Sequence, residues 1–360
     1  MVSKGKADMS FCVKDELTID EYSNVTKFLD SLNFHCIEQH PVWNTKIEKY
    51  QRSFFFSTDE KGHINCFGNI ILSKGPFKTA SINFGPAFAD YAVLTQAIKF
   101  LHDYFSTQKF TFFSIQLGVY INNQTELLEY NINNDYKVKY FFTHANSWTS
   151  ICIDLKKPEN DILKSFSKGH KSSIKSAYSK NNLRVSIENN TEHLQSFINL
   201  YIKMETARKL TFEKKEITHL FKSINDFMYE NNKGFIEYIF EGNTLVGGLI
   251  ILYQGNSARF YKGAGDPERR DIPVLHFGLF EAMKICKENG CTSLDLWGYN
   301  HFADKSDQLF YINRFKKGFG GDFTFFPKRM NFILKPTSFL AYKSLKYCKN
   351  QLKVILRKSA

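Results

Sequence analysis

The chain lacks the features that mark a secreted, membrane-spanning or metal-binding protein. Its seven cysteines form no C-x-x-C pair and have no histidine at ligand spacing, which argues against a zinc site and a disulfide framework. The longest apolar run, Leu245 to Tyr253, is far shorter than the ~20 residues that cross a bilayer. The first residues show no signal-peptide pattern. We therefore expect a cytoplasmic protein.

Acidic residues are scarce relative to basic ones. The 48 Lys and Arg against 36 Asp and Glu give a formal charge of +12 and a pI near 9.1. This excess predicts an anionic partner, such as a phosphate-bearing substrate, tRNA or an acidic membrane surface. An AT-rich genome would also enrich Lys, Asn and Phe, so composition leaves both explanations open.

Three families of catalytic motif are also missing. The sequence has no nucleophile elbow, no Walker loop and no dinucleotide fingerprint. Covalent catalysis and nucleoside triphosphate hydrolysis are therefore not expected. The 360 residues, 43% of them hydrophobic, are enough for two domains with substantial cores.

An internal repeat is present. Gly85 to Gly118 and Gly265 to Gly298 have the same separation, 33 residues, and each span reads as strand, loop, helix and strand. The size fits a βαβ crossover between parallel strands. Matching element order and glycine punctuation predict a duplicated unit.

Each crossover follows a predicted hairpin, and each hairpin follows a helical segment. The hairpins are 50–57 with 65–72 and 234–240 with 245–253. This element order is that of a GNAT acyltransferase domain. The sequence therefore predicts an α/β fold with mixed sheets, made of two tandem GNAT-like domains. We expect the first at 1–150, completed by 325–360, and the second at 151–324.

Landmarks spread from about residue 40 to 340 carry a family resemblance. The clearest lie in the second half: Asp295-Leu296-Trp297-Gly298 and Arg314-Phe315-Lys316-Lys317-Gly318-Phe319-Gly320-Gly321. Others are the basic segment 171–177, Trp43-Asn44-Thr45-Lys46 and Phe84-Gly85-Pro86. In this order they resemble the Fem aminoacyltransferases of peptidoglycan cross-bridges. The chain resembles the compact members, which lack a long helical hairpin.

The resemblance implies a reaction and residues that perform it. Fem enzymes move an aminoacyl group from aminoacyl-tRNA to an amine of a nucleotide- or lipid-linked cell-wall precursor, with no cofactor and no covalent intermediate. Lys316 matches the family's lysine near the acyl-tRNA end, and Phe315 is placed to pack on the terminal adenosine. Lys46 and Arg208 match cations that grip the acceptor's diphosphate, and Trp43 belongs to the same landmark as Lys46.

Two strand-end residues complete the predicted site, and one expected residue is missing. Tyr261 and Asp295 end the paired strands of the second repeat, where either side chain could relay a proton from the amine. Where the family often has an acidic residue before proline, this chain has Leu117-Gly118-Val119. The identity of the acceptor therefore stays open.

Two alternatives remain at this stage. The chain could be an acyl-CoA-dependent N-acyltransferase acting on a sugar or lipid-linked precursor of surface polysaccharide, with Gly263-Ala264-Gly265, Arg269 and Arg270 as a phosphate cradle. It could also be a GNAT-like binding module without activity. The segment 328–360, with nine Lys or Arg and no acid, predicts a helix that packs on the first domain or also contacts an anionic membrane.

Overall fold

The computed structural model describes residues 9–34, 36–43, 51–73, 75–140, 149–208, 212–307 and 309–358. Lys46 lies outside them. The strands are β1 Ser10–Lys14, β2 Gln51–Thr58, β3 Ile64–Leu72, β4 Thr79–Asn83, β5 Ala87–Phe88, β6 Phe112–Gln116, β7 Val138–Tyr140, β8 Thr149–Asp154, β9 Leu183–Ser186, β10 Gly234–Glu241, β11 Thr244–Gln254, β12 Ser257–Gly265, β13 Ser293–Asp295, β14 Asp322–Phe325 and β15 Met330–Ile333. The helices are α1 Ile19–Asp30, α2 Tyr91–Thr107, α3 Asn123–Asp135, α4 Glu159–Ser165, α5 Lys168–Ser179, α6 Thr191–Ala207, α7 Lys214–Asn231, α8 Val274–Glu288, α9 Leu309–Lys317 and α10 Pro336–Lys358.

The chain divides into two compact units. Unit 1 comprises residues 1–28, 38–146 and 327–360, and unit 2 comprises 29–37 and 147–326. Each unit is built around one mixed sheet, with strand order β1-β2-β3-β4-β6-β15-β7 in unit 1 and β14-β8-β13-β12-β11-β10-β9 in unit 2. In unit 1, β5 also pairs with β3.

The repeat seen in the sequence is confirmed by the strand pairing. In unit 1 the antiparallel pair β2–β3 precedes β4, and α2 connects β4 to its parallel neighbour β6. In unit 2 the antiparallel pair β10–β11 precedes β12, and α8 connects β12 to its parallel neighbour β13. Both units therefore have the hairpin and crossover of a GNAT domain.

Successive side chains of β10 contact helices on opposite faces of the unit 2 sheet. Tyr238 contacts Phe197 of α6, with ring centroids 6.3 Å apart. Its neighbours Glu237 and Ile239 lie instead against Gly278 of α8. Because adjacent strand residues point to opposite faces, α6 and α8 lie on opposite sides of the sheet. Both faces are therefore buried, which explains the long apolar stretch of β11.

Side-chain N-caps mark the first residues of α5 and α6. Ser167 is the N-cap of α5 and accepts a hydrogen bond from the His170 backbone N–H, and Asn190 caps α6 through the N–H groups of Glu192 and His193. Among the described residues, no helix is both long and apolar enough to span a bilayer.

Candidate active site

Strands β12 and β13 diverge in the middle of the unit 2 sheet. They pair only from Ser257 opposite Ser293 to Arg259 opposite Asp295, whereas β12 continues to Gly265. The sequence predicts a strand as far as Trp297, but the strand ends at Asp295. The reason is the turn that follows, in which Trp297 and Gly298 both have positive φ, 50° and 57°. An opening is left beside the second half of β12.

Asp295 holds this turn in place. Its Oδ1 accepts a hydrogen bond from the Trp297 backbone N–H at 2.7 Å and another from the Ser150 hydroxyl. Its Oδ2 lies 3.8 Å from Nε of Arg259, whose guanidinium stacks 3.5 Å from the Trp297 ring centroid. A carboxylate bonded to the backbone two residues on supports a left-handed residue other than glycine. These contacts belong to a positioning group, so the predicted catalytic role of Asp295 stays a prediction.

Lys316 fills the opening that the turn creates. From the last turn of α9, its ammonium donates hydrogen bonds to the carbonyl oxygens of Trp297 and Gly298, the latter at 3.0 Å. Burial lowers its pKa to about 8, with Asp295 acting in the opposite direction and Lys262 adding to the decrease. An ammonium has three N–H donors, and the third has no acceptor among the described residues. Lys316 therefore retains a donor for a ligand.

Tyr261 lies at a bulge in β12. Lys262 pairs with Ile250 and Phe260 with Ile251, which leaves Tyr261 as the extra residue. The ammonium of Lys262 lies 5.8 Å from the Tyr261 ring centroid and, within the described ranges, forms no hydrogen bond or ion pair. Burial lowers the pKa of Lys262. The sequence analysis missed Lys262, because its burial depends on the bulge.

A cavity of about 660 Å³ in unit 2 brings two predicted binding residues together. Arg208, at the end of α6, and Phe315, on α9, both line it. The cavity walls come from α5, α6, the β12–α8 loop and α9, and the full lining is Ser172, Ser173, Ser176, Met204, Ala207, Arg208, Gly265, Asp266, Pro267, Arg269, Arg270, Asp271, Ile272, Pro273, Val274, Leu275, His276 and Phe315. The loop predicted as a phosphate cradle is thus one wall of the cavity.

The acidic residues of this loop are neutralised within the protein. Lys203 contacts both Asp266, at 2.9 Å, and Glu268, at 2.8 Å. Arg269 is paired with Glu241 at 2.8 Å. Arg270 donates through Nε to the Pro267 carbonyl at 3.1 Å and has no ion-pair partner within the described part of the chain. These ion pairs reduce the repulsion that Asp266 and Glu268 would exert on an anion in the cavity.

Comparison with known proteins identifies the fold. No protein-family model matches the chain. A 73-residue segment is 30% identical to lipid II:glycine glycyltransferase of two Staphylococcus epidermidis strains, but it covers 20% of this chain and only 18% of that relative's length. The crystal structure of FemX matches 92% of this chain and 99% of its own length, with a TM-score of 0.77 and 15% identity. The chain has the Fem fold.

A second structural match agrees with the duplication. A tandem GNAT protein from the clavulanic acid biosynthesis pathway matches 91% of this chain and 99% of its own length, with a TM-score of 0.55 and 6% identity. The α/β class and the tandem GNAT-like architecture predicted from the sequence are therefore confirmed, as is the resemblance to Fem proteins at the level of the fold.

Two histidines support Phe315 within the Fem fold. The rings of His170 and His276 are 4.5 Å apart, and their centroids lie 5.7 and 5.0 Å from that of Phe315. Burial, with His170 nearby, lowers the pKa of His276 to about 4, so its ring is neutral at pH 7. Neither histidine is among the residues predicted from the sequence, because the two are 106 positions apart and meet only in the folded chain.

Trp43, the other predicted binding residue that the structure describes, belongs to unit 1. Trp43 is 2% exposed, and its backbone N–H donates to the His40 carbonyl at 2.9 Å. Its ring is therefore part of the unit 1 core. Lys46 is outside the described residues. The binding roles of Trp43, Lys46, Arg208 and Phe315 remain predictions.

Proposed function

We propose that the chain transfers an aminoacyl group from aminoacyl-tRNA to an amine of a nucleotide- or lipid-linked peptidoglycan precursor. The Fem fold and the segment similar to a lipid II:glycine glycyltransferase support this choice of reaction. No cofactor takes part in the proposed reaction. The tRNA is a co-substrate.

The observation that carries the proposal is the ammonium of Lys316. Lys316 is 8% exposed, and its ammonium is anchored to two carbonyl groups beside β13 and keeps one donor for a ligand. It immediately follows Phe315, which lines the cavity with Arg208. A fixed cation in a desolvated place stabilises developing negative charge more strongly than one in water.

The proposed reaction forms an amide C–N bond and breaks the ester C–O bond, with one proton moving from nitrogen to oxygen. The neutral amine of the acceptor attacks the ester carbonyl carbon, forming a C–N bond and a tetrahedral oxyanion. The bond from that carbon to the ribose oxygen then breaks, and the proton lost by the amine is matched by one gained by the ribose oxygen. Lys316 supplies an N–H to the oxyanion, and its lowered pKa makes it a better proton donor than an ordinary lysine.

The proposed acceptor also suggests where the reaction takes place. A lipid-linked precursor would be met at the cytoplasmic face of the plasma membrane, and a nucleotide-linked one in the cytoplasm. In both, a diphosphate carries the anionic charge that Arg208 and Lys46 are predicted to bind. The basic helix α10 supports contact with the membrane surface.

Transfer of a radiolabelled amino acid from charged tRNA tests the proposal. The purified full chain is incubated with a mixture of charged tRNAs and either a nucleotide-linked muropeptide or lipid-linked precursor in detergent. Labelled precursor is the expected result. Acetyl-CoA is tried in parallel, because the Arg270 side of the cavity would suit the diphosphate of CoA. Transfer from acetyl-CoA but not from charged tRNA would contradict the proposal.

Matched variants separate the reaction from the site assignment. Lys316→Met is expected to lower kcat at least roughly 100-fold, since loss of one oxyanion donor typically costs that much. The neighbouring exposed Lys317→Met is the control and should leave kcat unchanged. Equal activity of the two variants would mean that the reaction is right and the role of Lys316 is wrong.

A further inference from the structure

Helix α10 packs on the rest of unit 1 through its first turns, and further along Leu345, Lys346 and Lys349 line a cavity of about 280 Å³ with residues 73 and 75–77. Phe339 is 4% exposed and contacts Phe112, with ring centroids 5.1 Å apart. Tyr342 lies 5.0 Å from Phe112 and 5.9 Å from Phe77. From Lys343 to Leu352, every side chain that the structure describes is exposed. Beyond Tyr342 the described side chains of the helix are therefore exposed to solvent.

The exposed part carries large apolar side chains. Leu345 and Leu352 are 50% and 59% exposed, and Leu340 and Tyr347 are 61% and 65% exposed. Each pair is seven residues apart, so its members lie on one side of the helix. A helix of this kind gains most of its stability from burying an apolar face. These four side chains are therefore open to an apolar partner.

The charge of α10 restricts what that surface can be. The helix has six Lys or Arg and no Asp or Glu. Lys343, Lys346 and Lys349 are exposed and follow the side that carries Tyr342, with the Lys346 ammonium 6.0 Å from the Tyr342 ring centroid. Two copies of such a helix would bring like charges together, which disfavours self-association through it. RNA would satisfy the cations but would leave the leucines in water. An anionic bilayer accepts both, because leucines enter the acyl boundary while lysine ammonium groups reach the phosphates.

We propose that α10 is an interfacial anchor that binds anionic lipid bilayers through Leu340, Leu345, Tyr347 and Leu352, with its lysines on the headgroups. This goes beyond the acyl-transfer proposal and does not require it. A lipid-linked acceptor would explain why an enzyme of this fold has such an anchor. The test below contains no substrate, so its failure leaves the proposed reaction untouched.

Co-sedimentation of the full chain with vesicles measures the interaction. One set of vesicles is phosphatidylcholine, and the other is an equimolar mixture of phosphatidylcholine and phosphatidylglycerol. We expect at least roughly tenfold stronger partitioning to the mixed vesicles, reduced by added salt. The double variant Leu345→Ser with Leu352→Ser should lower that partitioning by roughly tenfold or more, since it removes the apolar contribution.

Control variants elsewhere in unit 1 match the α10 variants in side-chain exposure and in the charge that is removed. Leu127 and Tyr130 of α3 are 61% and 66% exposed, so Leu127→Ser with Tyr130→Ser should bind vesicles as the original chain does. The triple change of Lys343, Lys346 and Lys349 to Gln should abolish preference for anionic lipid. The same change at the exposed Lys61, Lys99 and Lys137 should retain most of it. Circular dichroism confirms that each variant is folded.

Two results would overturn the inference. One is that the original chain binds both kinds of vesicle equally or binds neither. The other is unchanged binding after the leucine substitutions, which would leave only a diffuse electrostatic attraction. Binding of uncharged tRNA that depends on the three α10 lysines, without vesicle binding, would assign the helix to nucleic acid instead.

Discussion

His170 Nε2 lies 2.8 Å from the carbonyl oxygen of Phe315, the residue that precedes Lys316. The Ser167 hydroxyl lies 3.0 Å from the other ring nitrogen of His170, and the Ser167 backbone N–H donates to the Gly318 carbonyl at 2.8 Å. A Cβ at Gly318 would lie 2.0 Å from the His170 ring. The start of α5 and the end of α9 therefore fit together tightly, and this contact fixes the place of Lys316.

Replacing His170 is expected to affect catalysis through the position of Lys316. His170→Phe removes one of two donors to the Phe315 carbonyl, which keeps the Gly318 N–H at 3.1 Å, so the free energy of unfolding should fall by about 0.5–1.5 kcal/mol. In the transfer assay, kcat should fall about tenfold, whereas His170→Gln, which keeps an N–H donor, should recover part of the loss. Urea unfolding and steady-state kinetics measure the two effects. A loss of stability with kcat unchanged would show that His170 has a structural role alone. His63→Phe, at an exposed histidine, is the control.

The pH dependence of transfer should report Lys316. Its pKa is lowered to about 8, so the ammonium is present below that pH and is lost as the pH rises through it. If the charged form stabilises the oxyanion, kcat/KM should fall above about pH 8, whereas deprotonation of the acceptor amine makes it rise at lower pH. Lys316→Arg should lack the falling limb, because a guanidinium stays protonated. A falling limb that persists in Lys316→Arg, as in the control Lys317→Arg, would contradict the assignment.

Asp295→Asn tests whether the carboxylate is structural or catalytic. Asp295 and Arg259 are 1% and 0% exposed, so removing the negative charge leaves a buried guanidinium beside a neutral amide. We expect a loss of about 3–5 kcal/mol in the free energy of unfolding. Thermal and urea unfolding measure it. Full stability together with a large fall in kcat would instead favour the proton-relay role predicted from the sequence.

Glu237 should make unit 2 less stable as pH rises. The residue is 0% exposed, and neither carboxylate oxygen has a hydrogen-bond partner among the described residues. Burial, with nearby Glu281, raises its pKa well above the usual range. The unfolded chain loses this proton above its ordinary pKa of about 4.3, whereas the folded chain keeps it, so the stabilising effect is complete only below that pH.

Glu237→Gln removes this titration and provides the measurement. Its unfolding free energy minus that of the original chain should increase with pH above about 4.5, by up to about 1.4 kcal/mol per pH unit. The increase should stop at the folded pKa. Urea unfolding between acidic and mildly alkaline pH follows the difference. Parallel curves of unfolding free energy against pH for the two proteins would contradict the raised pKa. Glu188→Gln, which changes an exposed carboxylate, is the control.

The architecture was accessible to sequence reasoning because its signals are local. Alternating apolar residues, the turn before β11 and the glycines that end each crossover all act within a few positions. The hairpins predicted at 50–72 and 234–253 are present as β2–β3 and β10–β11. The return strands β14 and β15 were not predicted, since four residues give a weak periodic signal. Helix α7 was not predicted either, although its sequence is amphipathic and its apolar face is buried.

The amino-acid sequence alone is enough to predict the duplicated hairpin-and-crossover plan, the basic excess of α10 and the presence of Phe315-Lys316 in a glycine-closed segment. The surroundings of Lys316 follow from the tertiary structure. Its burial, its two carbonyl partners and its lowered pKa arise where the chain after β13 turns away from β12. The His170–Phe315 contact joins positions 145 residues apart. No local pattern encodes such a contact, because it forms only when the packed core brings distant segments within hydrogen-bonding distance.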